Sequence, residues 1–349
     1  MRRLLVLLAC CCSSSPPTRP PGGLPLQARR GLPGYPGVVE PSNIDCRFVG
    51  PWGPEQPTQL RFGDEGPVYA TAFQTEKAQL EISGTSAFVE IEVEGYRFWG
   101  HVDRPVLHPA RAFVLGGYLV PGFHATLRPV GARPHELAVE ITPPRFVKPL
   151  SPPREWRPCT DLGLAYGEFH ASSALGDASG DGYKLPASTP IALAAAHGGP
   201  PVAELTFGEE AVVSVIEQRG EHARIFVGDS YDHEAGIWVV GWVARSLLVA
   251  AGGFGQSGNW SMGSGPPVSS GLSRARRHVR CTHEVPLIVE LAGERHLAGA
   301  IRPGTTFGVT DGPGDTLDIV LDRVSIQLAP GARPMVKQSA IAACTDIPR

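Results

Sequence analysis

The chain is predicted to be all-β: a tandem series of small barrel or sandwich modules behind an N-terminal tether. Three observations predict this. Apolar residues recur with a period of two wherever they recur at all, and that period is the strand signal. No window carries a convincing helical stripe longer than two turns. Finally, 42 glycines and 35 prolines in 349 residues amount to about 22 % of the chain, against a usual total near 12 %. Turn-rich β structure accounts for that excess, because the hydrophobic fraction of 42 % is still enough to build cores.

Taken in order, Met1-Arg2-Arg3 and the apolar run Leu4-Leu5-Val6-Leu7-Leu8-Ala9 precede Cys10-Cys11-Cys12. Two positive charges before a short apolar segment describe a secretory signal. The small Ala9 before Cys10, with Leu7 three residues upstream of the cysteine, resembles the lipobox of bacterial lipoproteins. That resemblance implies cleavage after residue 9 and acylation of Cys10, which attaches the protein to membrane lipid. Each buried acyl CH₂ contributes about 0.8 kcal/mol, so several chains would hold firmly. Signals usually run roughly 15–30 residues; with only nine, either the true start lies upstream or the signal is unusually short. No other stretch approaches the roughly 18 apolar residues of a membrane span.

Residues 10–45 read as a Pro/Gly/Ser-rich tether, with Ser13-Ser14-Ser15-Pro16-Pro17 and Arg19-Pro20-Pro21-Gly22-Gly23 as its clearest parts. Such a segment favours extended polyproline conformation. A β module is expected over 46–142, a Pro-rich connector over 143–158, and a second module over 159–251. A Gly/Ser-rich linker with the basic end Arg274-Ala275-Arg276-Arg277 spans 252–280, and a third module spans 281–349. Within the modules Phe88–Val93, Leu137–Ile141 and Leu317–Leu321 alternate as half-buried strands do. Val212–Ile216 and Ile237–Val243 read as more fully buried strands.

The modules also resemble one another. Gly117-Tyr118-Leu119-Val120-Pro121-Gly122 aligns with Gly299-Ala300-Ile301-Arg302-Pro303-Gly304, and Gly182-Tyr183-Lys184-Leu185-Pro186-Ala187 offers a third copy. Cys159-Thr160-Asp161-Leu162 matches Cys344-Thr345-Asp346-Ile347, with Cys281-Thr282-His283-Glu284 a looser version. Beyond the N-terminal triplet the cysteines are Cys46, Cys159, Cys281 and Cys344. In an oxidising compartment four thiols form two disulfides with three possible connectivities. If Cys-Thr-Asp closes a module, the pairs are 46–159 and 281–344. No two of these cysteines lie within a few residues of each other, which excludes a zinc ribbon.

Residues 184–250 resemble a bacterial SH3 domain. The parts run Thr189-Pro190-Ile191-Ala192-Leu193, the turn Gly198-Gly199-Pro200, Pro201-Val202-Ala203-Glu204-Leu205, the strand Val212 to Glu217, the strand Ala223 to Val227, and Gly241-Trp242-Val243. The resemblance implies a sharp bend at Gly241 and a Trp242 that covers the end of a small barrel. His222 stands where that family usually carries Trp, and Gly228 to Glu234 is an insertion. Residues 66–103 carry a fainter copy.

Candidate chemistry is sparse. His135-Glu136 opens like a zinc-protease helix but lacks a second His and sits in an alternating strand. Asp177-Ala178-Ser179-Gly180-Asp181 opens like a calcium loop, yet Ser188 occupies the place of its bidentate Glu. Asp229 to Glu234 reads as an exposed polar loop. No Gly-x-Ser-x-Gly elbow or phosphate-cradling loop is present, so no catalytic residue, metal site or cofactor is expected. A net charge of −3 gives no basic field for nucleic acid. Aromatic side chains are the remaining lead for ligand stacking: Tyr96 and Trp99 in the first module, and Tyr231, Trp238 and Trp242 in the second. The expected role is a non-enzymatic binding or scaffold lipoprotein, exported and membrane-anchored in the cell envelope, with peptidoglycan or envelope proteins as partners. The alternatives are a cell-wall hydrolase with an unrecognised site and a structural subunit of a secretion or surface assembly.

Overall fold

In the computed structural model the described residues are 31–32, 35–37, 43–52, 57–73, 75–103, 105–120, 125–165, 181–227, 237–251, 275–321 and 326–348. They form an almost pure β structure, with short 3-10 turns and no α-helix among them. All the sheets are antiparallel in their named strand pairs, and none closes on itself, so the modules are curled open sheets and sandwiches. No helix of the described residues is long and apolar enough to cross a membrane.

The alternating segments become strands. Ser86–Val93 buries Phe88, Val89, Ile91 and Val93 while Glu90 and Glu92 stay partly exposed. Leu137, Val139 and Ile141 are buried along Glu136–Ile141. Two hairpins share one turn design. Ser86–Val93 joins Tyr96–His101 through Glu94-Gly95, and Val285–Leu291 joins Glu294–Ile301 through Ala292-Gly293. In each turn both central residues have positive φ, +49° and +87° in the first and +53° and +85° in the second. That is the mirror-image turn whose twist matches paired strands, and glycine in second place removes the Cβ penalty there.

These two hairpins then pair with each other. Gly299, Ala300 and Ile301 run antiparallel to Phe98, Arg97 and Tyr96, so the first and third modules share one sheet of 14 strands. Ile326–Leu328 adds to Val68–Ala72 in the same way. The modules therefore do not stand apart: one apolar core runs from Phe48 through Trp99 to Phe307 and on into Ile225 and Val243 of the second module. Three anchors lock the junction. The Trp99 indole N–H donates to the Leu297 carbonyl (3.1 Å), the Tyr69 hydroxyl lies 3.4 Å from the Ala298 carbonyl oxygen, and Phe62 stacks between Tyr69 and His296.

The second module centres on a sheet of ten strands. Asp181–Leu185, Ala211–Arg219, His222–Val227 and Trp238–Ala244 lie side by side, and Val249–Ala250 returns to the first of them after the 3-10 turn Arg245–Leu247. The hairpin of Ile191–Ala194 and Pro201–Leu205 continues beyond Trp238–Ala244. Tyr118 and Leu119 of the first module pair with Val239 and Trp238, joining the bodies. Two of the three repeated Gly-x-x-x-Pro segments thus supply strands that cross between modules.

The Pro-rich connector is also strand-forming. Val147–Pro149 adds to Pro201–Leu205, and Arg154–Pro158 adds to Glu136–Ile141. Both are edge strands, where a proline's missing N–H costs nothing because that side faces away from the ladder. At the far end of the tether, Gly31–Leu32 pairs with Tyr35–Pro36 and Gly37 bridges Leu297. At the basic end of the linker, Arg277 already begins a strand, with Ala275 buried behind it.

The four cysteines pair as 46–159 and 281–344, with Cα separations of 5.8 and 4.4 Å. Around the first, the Cys159 N–H donates to the His135 carbonyl and the His135 N–H to the Asp45 carbonyl, so the module's start, a turn and its end are stitched together. His135 has φ +66° and sits in that hairpin turn, not on a helix.

Candidate functional site

Of the aromatic residues singled out for stacking, the structure places three in the core. Trp99 is 1 % exposed and its indole N–H is used across the module junction. Tyr96 is buried beside Phe98, at 6.4 Å between ring centroids. Trp242 is buried beneath the ring of His197 (4.9 Å) and the Arg219 guanidinium (5.6 Å). Burial of these rings follows from strands covered on both sides: every residue of Tyr96–His101 is buried, as is each from Val239 to Val243, so the ring face that a ligand would need is already covered. Trp238 is the exception, half-buried and edge-on to Phe226 at 5.4 Å. Tyr231, the expected lipidation residue Cys10, the insertion Asp229 to Glu234 and most of the calcium-like loop lie outside the described residues.

Sequence reasoning missed a better-presented aromatic. Trp156, on the edge strand Arg154–Pro158, is 40 % exposed, and the Arg133 guanidinium lies 4.3 Å over its ring. Apart from this ring, a groove of about 440 Å³ runs between Glu140–Pro143 and Pro149–Pro153, where Leu150 is 53 % exposed. An open backbone edge, an amphipathic ring and a proline-lined groove suit an extended peptide or a sugar–peptide polymer better than a small buried ligand. The signal was present in Arg154-Glu155-Trp156-Arg157, an alternating run hidden by the prolines before it.

Asp64, Ser86 and His101 come together: Ser86 Oγ lies 2.7 Å from Asp64 Oδ1, and His101 Nδ1 lies 2.7 Å from the same oxygen and 3.3 Å from Ser86 Oγ. A nucleophile relay needs its base and its orienting carboxylate on opposite ring nitrogens. Here serine and aspartate address the same nitrogen, and the serine proton goes to the aspartate, so the set ties a turn to two strand ends. At the junction Arg97, 9 % exposed, is ringed by Glu90, Glu92 and Glu284 at 3.4–3.9 Å, which balances its charge where water is scarce. The buried Asp161 carboxylate is held by Arg111 at 2.7 Å, and the equivalent Asp346 by Arg277 at 2.5 Å. The Cys-Thr-Asp repeat is thus a buried clasp only at Asp161, in a 3-10 turn, whereas Asp346 is exposed on a strand. Burial alone raises the Tyr118 hydroxyl to a pKa of about 12 and pushes the Tyr69 hydroxyl higher still.

One group of metal-ligand type forms among the described residues. Cys281, His283 and Cys344 bring one ligand atom each within 4.8 Å of one another. Sixty-three residues separate the two cysteines, so spacing alone could not reveal it; Cys281-Thr282-His283 was the only local hint.

No protein-family model, curated protein or solved structure matches this chain.

Proposed function

We propose that the protein is an exported cell-envelope lipoprotein, acylated at Cys10, that acts as a non-enzymatic binding or scaffold module against the cell wall. The N-terminal Arg2-Arg3, apolar run and Cys10 motivate export and anchoring, and the two cysteine pairs accord with an oxidising compartment. The observation that carries the binding role is the environment of Gly241-Trp242 in the second module. A Cβ at Gly241 would lie 2.7 Å from Leu193 Cδ1 and 2.8 Å from the Ala194 carbonyl oxygen, so only glycine lets the strand pass. Trp242 beside it is buried against His197 and Arg219. Both features are what a bacterial SH3-like module asks of those positions, and peptidoglycan or its peptides are the partners that reading implies.

Trp156, the proline-lined groove and Trp238 are the surfaces assigned to contact. Sedimentation of the folded chain with purified sacculi tests this. The expected result is co-sedimentation that Trp156→Ala weakens about tenfold, the scale of one aromatic anchor. A chain that stays in the supernatant contradicts the reading.

A further inference from the structure

We propose that the C-terminal disulfide masks a cation site: once reduced, Cys281 and Cys344, with His283, form a three-ligand centre for a thiophilic divalent ion, zinc fitting best. This goes beyond the wall-binding role and does not rest on it.

The three ligand atoms already lie within 4.8 Å of one another. Tetrahedral zinc, with bonds of about 2.3 Å to sulfur, holds two sulfurs about 3.8 Å apart. The backbone, with Cα atoms 4.4 Å apart, need only allow the sulfurs to separate by side-chain rotation. His283 is prepared for the role. Its Nε2 lies 2.8 Å from the Ala340 carbonyl oxygen. A carbonyl only accepts, so in the neutral ring Nε2 carries the proton and Nδ1 has the lone pair. A zinc-bound histidine is oriented in the same manner, its second nitrogen donating to a backbone carbonyl.

The cradle does not depend on the S–S bond alone. The Cys281 carbonyl accepts the Gly304 N–H (2.7 Å), and the Cys344 N–H donates to the Ile341 carbonyl (3.0 Å) at the end of the 3-10 turn Gln338–Ile341. Cys281 is 2 % exposed, Cys344 is half-buried and His283 is exposed, which leaves a fourth coordination position facing water. Two thiolates, one imidazole and an open position form a ligand set that zinc accepts.

The chemistry balances with an external dithiol as reductant. The dithiol gives two electrons and becomes a disulfide; the Cys281–Cys344 bond breaks and each sulfur takes a proton. Binding of the ion then releases those two protons as two metal–sulfur bonds and one metal–nitrogen bond form. The Cys46–Cys159 pair joins no such group among the described residues and serves as an internal control.

The test uses the full chain carrying Cys10→Ser, Cys11→Ser and Cys12→Ser, oxidised and dithiol-reduced, freed of excess reductant without air and titrated with Co²⁺ and then Zn²⁺ against a chromophoric chelator. Native mass spectrometry counts the ions, and circular dichroism reports the fold. The expected result is no ion on the oxidised chain and one on the reduced chain, with thiolate-to-cobalt charge-transfer absorption. Removing Cys46 and Cys159 together should leave that ion in place, whereas His283→Ala, which keeps all four cysteines of the body, should weaken binding to the reduced chain at least tenfold. The proposal fails if the reduced chain, folded or unfolded, retains no ion. It fails equally if the ion survives Cys281→Ser with Cys344→Ser, or if His283→Ala binds with unchanged affinity.

Discussion

Tyr118 shows how much a single buried group can decide. Its ring is 2 % exposed, its hydroxyl has no hydrogen-bond partner among the described residues, and burial holds its pKa near 12. A tyrosine ionises near 10 when unfolded. Because the folded state keeps its proton longer, its contribution to stability is complete below pH 10 and is lost as pH rises through 12. Tyr118→Phe is therefore expected to leave stability at pH 7 unchanged or slightly higher and to flatten the decline between pH 10 and 12, as read by urea denaturation across pH. Asp161 is a second case. Its carboxylate is buried while its partner Arg111 is largely exposed. Arg111→Ala should cost about 1–3 kcal/mol, since it leaves a buried acceptor without its donor; thermal denaturation of the variant reads it.

At the scale of elements, the contact between Tyr96–His101 and Glu294–Ile301 is the structural decision on which the rest depends. A Cβ at Gly299 would overlap the Arg97 carbonyl oxygen, and one at Gly95 would overlap the Thr305 side chain. Gly299→Ala is expected to destabilise by about 1–3 kcal/mol, the usual cost of overpacking, and to increase amide exchange along both strands. The disulfides act on the same elements through the unfolded chain. Separations of 113 and 63 residues predict losses of about 4.8 and 4.3 kcal/mol in the chain-entropy model when each pair is replaced by alanine. Strand positions such as Phe88–Val93 were legible because alternation is a local property. The pairing of Gly299 with Phe98 was not, since a strand edge accepts any antiparallel partner and the choice is made by packing between residues 201 apart. The prolines of 143–158 hid two strands for a related reason: edge positions tolerate what central strands exclude.

At the scale of the molecule, three predicted modules fuse into one body through shared sheets and a continuous core. Calorimetry should accordingly show one cooperative transition with calorimetric and van't Hoff enthalpies in agreement, whereas separate modules would melt in two or three steps. The candidate sites were less legible than the fold. Trp99 and Trp242 read as binding rings in sequence because aromatic residues serve cores and ligands alike. Trp156 and His283 were passed over because their significance lies in exposure and in convergence across the chain. The functional reading still rests most heavily on Cys10 at the start of the tether. Mass spectrometry of the protein purified from cells, covering its N-terminus and cysteine linkages, tests it most directly. The account predicts a diacylglyceryl-modified Cys10 as the first residue, with Cys46 bound to Cys159 and Cys281 to Cys344. An unprocessed Met1 with four free thiols in the body would contradict it.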